Sequence, residues 1–191
     1  MFRKAYAFGI FFFFVISLFM LIGCDKQITG NDNPALTLNG VPTSQISWIP
    51  LKGEYTNQID ALAKKGHAGK YIFPERGGVV GGYQTYSNLV KIPAGAVNQI
   101  TYITVDVIPT PEGYNVEFLP SMQFNKEVQI TLCWKFLNIS ESDIREGNFQ
   151  IYYSQDGLTW FPIEAADYLV DFDHETVTFN SQHFTRYGWG F

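Results

Sequence analysis

Cysteine is scarce in this sequence, which has only Cys24 and Cys133 among its 191 residues. Two cysteines supply neither the paired spacing of a zinc site nor the disulfide framework on which many small exported domains depend. Cys133 lies in the middle of a strong strand pattern, and the sequence supplies no base or cation to activate its thiol. We therefore interpret Cys133 as a small, half-buried structural residue and expect a hydrophobic core alone to hold the fold.

Basic residues are also in the minority, with 13 Lys and Arg against 18 Asp and Glu and a formal net charge of −5 at pH 7. Because nucleic acids are bound largely through their phosphates by clustered Lys and Arg, an acidic chain predicts no nucleic-acid partner. Aromatic residues are frequent, at 17% of the chain, and Val, Ile and Thr accompany them. This composition favours strands over helices and excludes a disordered chain.

Known catalytic motifs are missing. A catalytic histidine would have to be His67, His174 or His183, and the sequence has no Gly-x-Ser-x-Gly, His-Glu-x-x-His or phosphate-binding loop. The glycines at 77, 78, 81 and 82 are not followed by a helix or by Lys-Ser/Thr, so we interpret residues 77–82 as a flexible loop between strands. We expect no catalytic residue and no cofactor.

One acidic cluster leaves two interpretations open. Asp171, Asp173 and Glu175 lie beside His174, and strand alternation places the two aspartates on one outward face. Carboxylate oxygens in such a group suit a hard cation such as Ca²⁺. A solvated hairpin edge that blocks edge-to-edge pairing needs the same residues.

The N-terminus carries the longest hydrophobic run. Residues 7–23 have no charge, Arg3 and Lys4 precede them, and the run ends in Leu-Ile-Gly23-Cys24. This ending resembles the lipobox of bacterial lipoproteins, which implies cleavage between Gly23 and Cys24 and a diacylglycerol thioether on Cys24. A retained signal anchor is the alternative, since 17 residues are about the shortest helix that spans a bilayer. Lipidation would place the chain in the bacterial cell envelope, facing the periplasm or the cell surface.

The remaining chain divides by composition. We expect a signal peptide over residues 1–23, a polar, turn-rich tether over 24–41, and an N-terminal extension packed on the main domain over 42–70. Within the extension, Thr56 is expected to cap a short helix that Gly66 ends. Residues 71–191 form the predicted main domain.

Apolar residues recur with a period of two in the main domain, which is typical of strands with one buried face. Examples are Ile103, Val105 and Val107, and the longer series at 128, 130, 132, 134 and 136. Asp156-Gly157 predicts a tight hairpin, and residues 173–175 a second one. Ser140 to Glu146 suggests a helical turn. The sequence therefore predicts an all-β fold, an antiparallel β-sandwich of at least seven strands with one or two short helices.

Several segments resemble the ZU5 domain, a β-sandwich known from ankyrins and netrin receptors. They are residues 74–82 (Pro-Glu-Arg-Gly-Gly-Val-Val-Gly-Gly), residues 89–96 (Leu-Val-Lys-Ile-Pro-Ala-Gly-Ala), residues 118–128 and residues 152–187. A glycine common in the family near Met122 is absent. The resemblance covers about two thirds of the chain that would remain after cleavage, and it implies a sandwich used for protein contacts.

Some eukaryotic ZU5 proteins cleave themselves inside His-Phe-Ser, and His183-Phe184-Thr185 is similar. The resemblance implies that Thr185 would attack the Phe184 carbonyl with help from His183. Threonine replaces serine here, and only a few residues would be released. The structural interpretation is that Phe184, Tyr187 and Trp189 close the sandwich while Thr185 points outward.

We therefore expect a membrane-anchored envelope lipoprotein with a non-catalytic protein-binding or structural module. The residues predicted to bind the partner are Arg76, Tyr83 and Tyr86, because arginine and tyrosine dominate interface energetics. The alternative is a glycan- or cell-wall-binding module, for which the aromatics free to be exposed are Trp48, Tyr86, Tyr152 and Trp189. A self-cleaving domain at Phe184-Thr185 is the third hypothesis.

Overall fold

Two antiparallel β-sheets form the framework of the fold in the computed structural model, which describes residues 40–110, 112–164 and 168–191. The predicted signal peptide, its cleavage site at Gly23, the lipidation site at Cys24 and residues 25–39 of the predicted tether lie outside the described residues. The prediction of an all-β antiparallel sandwich is confirmed.

The larger sheet has seven strands, in the order β1-β9-β8-β12-β6-β5-β2. Every neighbouring pair is antiparallel. Its strands are β1 (Val41–Pro42), β2 (His67–Ile72), β5 (Thr101–Thr110), β6 (Gly113–Leu119), β8 (Gln150–Ser154), β9 (Thr159–Pro162) and β12 (Arg186–Gly190).

The smaller sheet has five strands, in the order β10-β11-β7-β4-β3. These are also paired antiparallel. Its strands are β3 (Gly78–Gly81), β4 (Leu89–Ile92), β7 (Gln123–Cys133), β10 (Leu169–Asp171) and β11 (Thr176–His183).

Short helices connect the strands. The described residues contain three α-helices, α1 (Gly53–Thr56), α2 (Ile59–Lys65) and α3 (Glu141–Glu146), and single 3-10 turns at Thr43–Gln45 and Tyr83–Thr85. In this part of the chain no helix is long and apolar enough to cross a membrane.

The expected cap at Thr56 is wrong, whereas the expected end at Gly66 is confirmed. Thr56 ends α1 and its hydroxyl donates to the carbonyl of Gly53, whereas Gln58 is the N-cap of α2. The turn predicted after Ser140 is confirmed as α3. The side chain of Ser140 accepts from the backbone of Asp143, and the Asp143 carboxylate accepts from the backbone of Ser140, which is a capping box.

The core lies between the inner faces of the sheets. Ile103, Val105 and Val107 are buried, as are Val128, Ile130, Leu132 and Trp134, which confirms the period-two pattern. Strand β7 ends at Cys133, before the predicted end at Phe136. Cys133 is more buried than the half-buried residue that the sequence predicted: it is 1% exposed, because residues 81–88 lie against this end of the sheet.

Both predicted hairpins are confirmed. β8 and β9 pair across Ser154 to Gly157, and β10 and β11 pair so that Val170 faces Val177. In the first turn the carboxylate of Asp156 accepts from the backbone N–H of Leu158 and of Thr159, both at 2.8 Å.

The segment before residue 71 contributes strands to the larger sheet. Val41, at the end of the predicted tether, pairs with Trp160, and β2 crosses the predicted boundary between residues 70 and 71. Ile49 and Leu51 belong to the main core. The described residues belong to one compact unit by their contacts.

Candidate functional site

The glycine-rich stretch is a strand, which corrects the expected flexible loop. Gly78–Gly81 pairs with β4 along its whole length. A Cβ atom at Gly77 would collide with the carbonyl oxygen of Ile92, and one at Gly81 with that of Asn88. The glycines therefore allow close approach of two backbones, and the residues predicted to bind a partner lie on either side of β3.

Residues 81–88, which we call the tyrosine loop, connect β3 to β4 in an unusual conformation. Gly82, Tyr86 and Ser87 have φ of +103°, +53° and +68°, so two successive residues other than glycine are left-handed. Such conformations cost of order 1–3 kcal/mol each and persist only where the surroundings impose them. The N–H groups of Thr85 and Ser87 both donate to the carbonyl of Gly82, at 3.0 and 2.8 Å.

Two buried polar side chains impose this conformation. Asn88 and Thr85 are fully buried. The Asn88 side chain accepts from the backbone N–H of Cys133 at 2.9 Å and donates to the carbonyl of Thr85 at 2.8 Å. The Thr85 hydroxyl donates to the Asn88 carbonyl. Each of these buried groups has a partner, so the loop is fastened to the end of β7 by satisfied hydrogen bonds.

Tyr86 anchors the loop on a second side. Its hydroxyl donates to the carbonyl of Leu62 in α2 at 3.2 Å, and its ring lies edge-on to Phe136 with centroids 5.1 Å apart. Burial raises the pKa of Tyr86. Tyr86 thus supports the loop and is half-buried, and its role in contacting a partner stays a prediction.

Tyr83 lies at the tip of the tyrosine loop and is 98% exposed. Clefts of about 520 and 320 Å³ lie on its two sides, and Tyr83 and Tyr86 line both of them. The first cleft is completed by Lys65, His67 and Gln84, and the second by Ser87, Cys133, Lys135, Phe136, Asp173, His174 and Glu175. An aromatic side chain between two concavities is well placed to enter a partner's surface while the clefts receive side chains from it.

Arg76 lies in the turn before β3, apart from these clefts. Its guanidinium is 4.4 Å from the ring centroid of Phe73, and its Nε is 3.4 Å from Glu75. Of the three predicted residues, the structure therefore brings Tyr83 and Tyr86 together and leaves Arg76 with a different set of neighbours.

The outer face of the larger sheet carries a second tyrosine pair, which sequence reasoning missed. Tyr71 on β2 faces Tyr102 on β5, with ring centroids 4.8 Å apart. They are 61% and 47% exposed. A signal was available, since Tyr102 alternates with buried Ile103 and so had to point outward. We call Tyr71 and Tyr102 the outer tyrosine pair.

The aromatics first considered for glycan binding are less accessible. The expectation that Trp189 is exposed is wrong, because its side chain is 2% exposed. Its ring packs against Trp134 and Phe149. Trp48 is half-buried over Trp160, with centroids 4.8 Å apart, and lines a cleft of about 440 Å³.

The side chains of the self-cleavage hypothesis have surroundings that differ from those expected. Phe184, Tyr187 and Trp189 are buried as expected, but Thr185 is also buried, which corrects its outward placement. The Thr185 hydroxyl donates to the carbonyl of Ser154 across the sheet. Nδ1 of His183 has no hydrogen-bond partner among the described residues, and burial lowers the pKa of this histidine.

The acidic turn is organised by its histidine. Both oxygens of Asp171 are engaged, one by the backbone N–H of His174 at 3.0 Å and the other by its Nδ1 at 2.8 Å. These hydrogen bonds lower the pKa of Asp171. Within the described ranges, no group of three or more His, Cys, Asp and Glu residues is placed to hold a metal ion.

No protein-family model matches the chain, and no curated protein matches it. The resemblance to ZU5 domains stays a prediction.

Proposed function

We propose that this chain is a membrane-anchored lipoprotein of the bacterial envelope and that its sandwich is a non-catalytic module that binds another envelope protein. The lipid would be carried by Cys24, and the tyrosine loop would make the central contact. The hydrophobic run ending in Leu-Ile-Gly-Cys supports the anchor. The ZU5-like segments support a protein partner.

The observation that carries the binding proposal is the display of Tyr83 on a loop with two left-handed residues. Tyr83 is 98% exposed, whereas Thr85 and Asn88 beside it are fully buried. Immobilising a flexible loop on binding costs about 0.5–1.5 kcal/mol for each ordered side chain. A loop that is already fixed by Thr85, Asn88 and Tyr86 avoids much of this cost, and tyrosine is among the residues most enriched at binding hot spots.

Cross-linking at the loop tests the proposal. A photoreactive phenylalanine analogue at position 83 should form a covalent adduct with one envelope protein in intact cells, identified by mass spectrometry. Tyr83→Ala should abolish recovery of that protein from detergent-solubilised envelope, and Tyr83→Phe should retain it because the ring is kept. Leu158→Ala, at another exposed apolar residue, is the matched control and should bind as wild type. Equal recovery with Tyr83→Ala would place the contact elsewhere.

The anchor has its own test. Mass spectrometry of the mature protein should show acyl chains on an N-terminal Cys24, and Cys24→Ser should give an uncleaved or soluble form. An unmodified peptide that runs through Cys24 would contradict lipidation. The same spectrum reports the C-terminus, so a mass loss after Phe184 would revive self-cleavage.

A further inference from the structure

The strand register sorts the outer face of β2, β5, β6 and β12 into three rows. The outer tyrosine pair forms the first row, Gly69, Thr104 and Leu119 the second, and His67, Asp106, Glu117 and Arg186 the third. Residues paired directly across antiparallel strands share a face, and rows two residues apart along a strand are about 7 Å apart.

Gly69 fixes the position of the Tyr102 ring. A Cβ atom at Gly69 would collide with the ring and hydroxyl of Tyr102, so the ring lies across the strand where only a glycine leaves room. The ring of Tyr71 lies next to it, tilted by 54°. The two tyrosines therefore form an aromatic surface at the edge of the sheet, on the paired strands β2 and β5.

Polar groups beside this surface are oriented by one another. Thr104 donates to one oxygen of Asp106 at 2.9 Å, and His67 shares a hydrogen bond of 2.5 Å with the other. Glu117 accepts from Arg186 at 2.8 Å. A carboxylate oxygen accepts more than one hydrogen bond, so Asp106 and Glu117 keep acceptor capacity toward solvent.

We propose that this face binds a neutral polysaccharide. The apolar C–H face of a sugar ring would lie on the outer tyrosine pair, and its hydroxyl groups would donate to Asp106 and Glu117 and to the Thr104 oxygen. Aromatic surface with a few fixed polar groups is the composition of sites for polar ligands of this size.

Charge and area select this ligand class. Asp106 and Glu117 are adjacent across β5 and β6, and the one arginine of these rows, Arg186, already donates to Glu117, so these rows offer an anionic polymer no unpaired lysine or arginine. Two tyrosines and Leu119 are the exposed apolar residues of these rows, a small apolar surface compared with the apolar centre of a typical protein interface.

Affinity electrophoresis of the full-length chain in non-ionic detergent tests the proposal. Gels containing galactomannan, xyloglucan or mixed-linkage β-glucan are compared with gels containing anionic alginate. At least one neutral polymer should retard the protein and alginate should not. Tyr71→Ala and Tyr102→Ala should each weaken that affinity about tenfold or more, the loss expected when a stacking ring is removed.

Controls separate this site from the tyrosine loop. Tyr83→Ala should migrate as wild type in every gel, so loss of the protein partner and loss of the polysaccharide are independent results. Tyr71→Ala decides the question if Tyr102→Ala melts at a lower temperature, because the ring that lies against Gly69 is that of Tyr102. Retardation by no neutral polymer, retardation by alginate alone, or unchanged affinity in Tyr71→Ala would overturn the proposal. Loss of the position-83 cross-link in Tyr71→Ala without any retardation would make this face a protein contact instead.

Discussion

The tyrosine loop and the outer tyrosine pair both place tyrosines in solvent, but by different means. The outer pair follows from regular strands, where Tyr71 and Tyr102 point away from a core on the other side. The tyrosine loop has no such regularity, and Tyr83 is displayed because Thr85 and Asn88 are buried beneath it. Backbone alternation suffices for the first surface, whereas the second depends on side-chain hydrogen bonds between distant segments.

This difference separates residues that hold a surface from residues that are displayed on it. In the outer pair, Gly69 is the residue whose smallness positions a ring. In the loop, holding and display are divided between neighbours, since Tyr86 packs inward three residues after Tyr83. Substitutions in the loop should therefore have strongly unequal effects on the free energy of unfolding, and substitutions in the outer tyrosine pair should have modest effects on it.

The largest effect is expected in the core that supports both surfaces. Trp134→Ala removes a buried indole that packs against Trp189, and it should lower the free energy of unfolding by about 3–5 kcal/mol. Lys135→Ala, at the exposed neighbour, should lower it by less than about 0.5 kcal/mol. Denaturant unfolding measures both. Equal effects would mean that the inner and outer faces have been misassigned.

Asn88→Ala should come next. It leaves the buried N–H of Cys133 without its acceptor, which costs about 1–3 kcal/mol, and it removes one of the two hydrogen bonds that the carbonyl of Thr85 accepts, the other coming from the backbone N–H of residue 88. We expect a loss of about 2–4 kcal/mol by thermal and denaturant unfolding. Asn148→Ala, at an exposed asparagine that bonds to Glu146, should be nearly neutral. If the two variants were equally stable, the loop would not be held by Asn88.

Tyr86 and Tyr83 give the sharpest contrast inside the loop. Tyr86→Ala removes a half-buried ring and should cost about 2 kcal/mol, while Tyr86→Phe loses one hydrogen bond and should cost about 1 kcal/mol. Tyr83→Ala should change stability by less than about 0.5 kcal/mol. A destabilising Tyr83→Ala would remove the distinction between support and display.

The smallest effect concerns reactivity rather than stability. Burial raises the pKa of the Cys133 thiol to about 11, so little thiolate exists at pH 8 and alkylation by iodoacetamide should be slow. Because only the thiolate reacts, the rate should rise about tenfold per pH unit until the pH approaches this pKa. Asn88→Ala should accelerate labelling at Cys133, mapped by mass spectrometry, since the loop covers this residue. Rapid labelling of the wild type at pH 8 would contradict a closed loop.

Much of the fold could be predicted from the sequence because alternation and turn chemistry are local signals. The pattern at Ile103, Val105 and Val107 predicts a buried face, and Asp156-Gly157 predicts a hairpin whose carboxylate indeed binds the turn's N–H groups. The same pattern places Tyr102 outward, although its pairing with Tyr71 requires the register between β2 and β5.

The tyrosine loop could be predicted only in part. Tyr83 was selected as a candidate from its residue type, but the fixation of the loop depends on contacts across 45 residues, from Asn88 to Cys133. Such polar contacts produce no periodic pattern in the sequence. The predicted outward placement of Thr185 is wrong for the same reason. Its small side chain can be buried because the hydroxyl donates to the carbonyl of Ser154 on a neighbouring strand.

Hydrogen exchange in residues 81–88 tests the central claim, that the tyrosine loop is a fixed display for Tyr83. Within it, the N–H groups of Gly82, Thr85, Ser87 and Asn88 all donate to loop carbonyls at 2.8–3.0 Å. These amides should exchange slowly, with protection comparable to that of the adjoining strand β4, and Asn88→Ala should abolish the protection. Exchange in the wild type at the rate of an unstructured peptide would contradict the account.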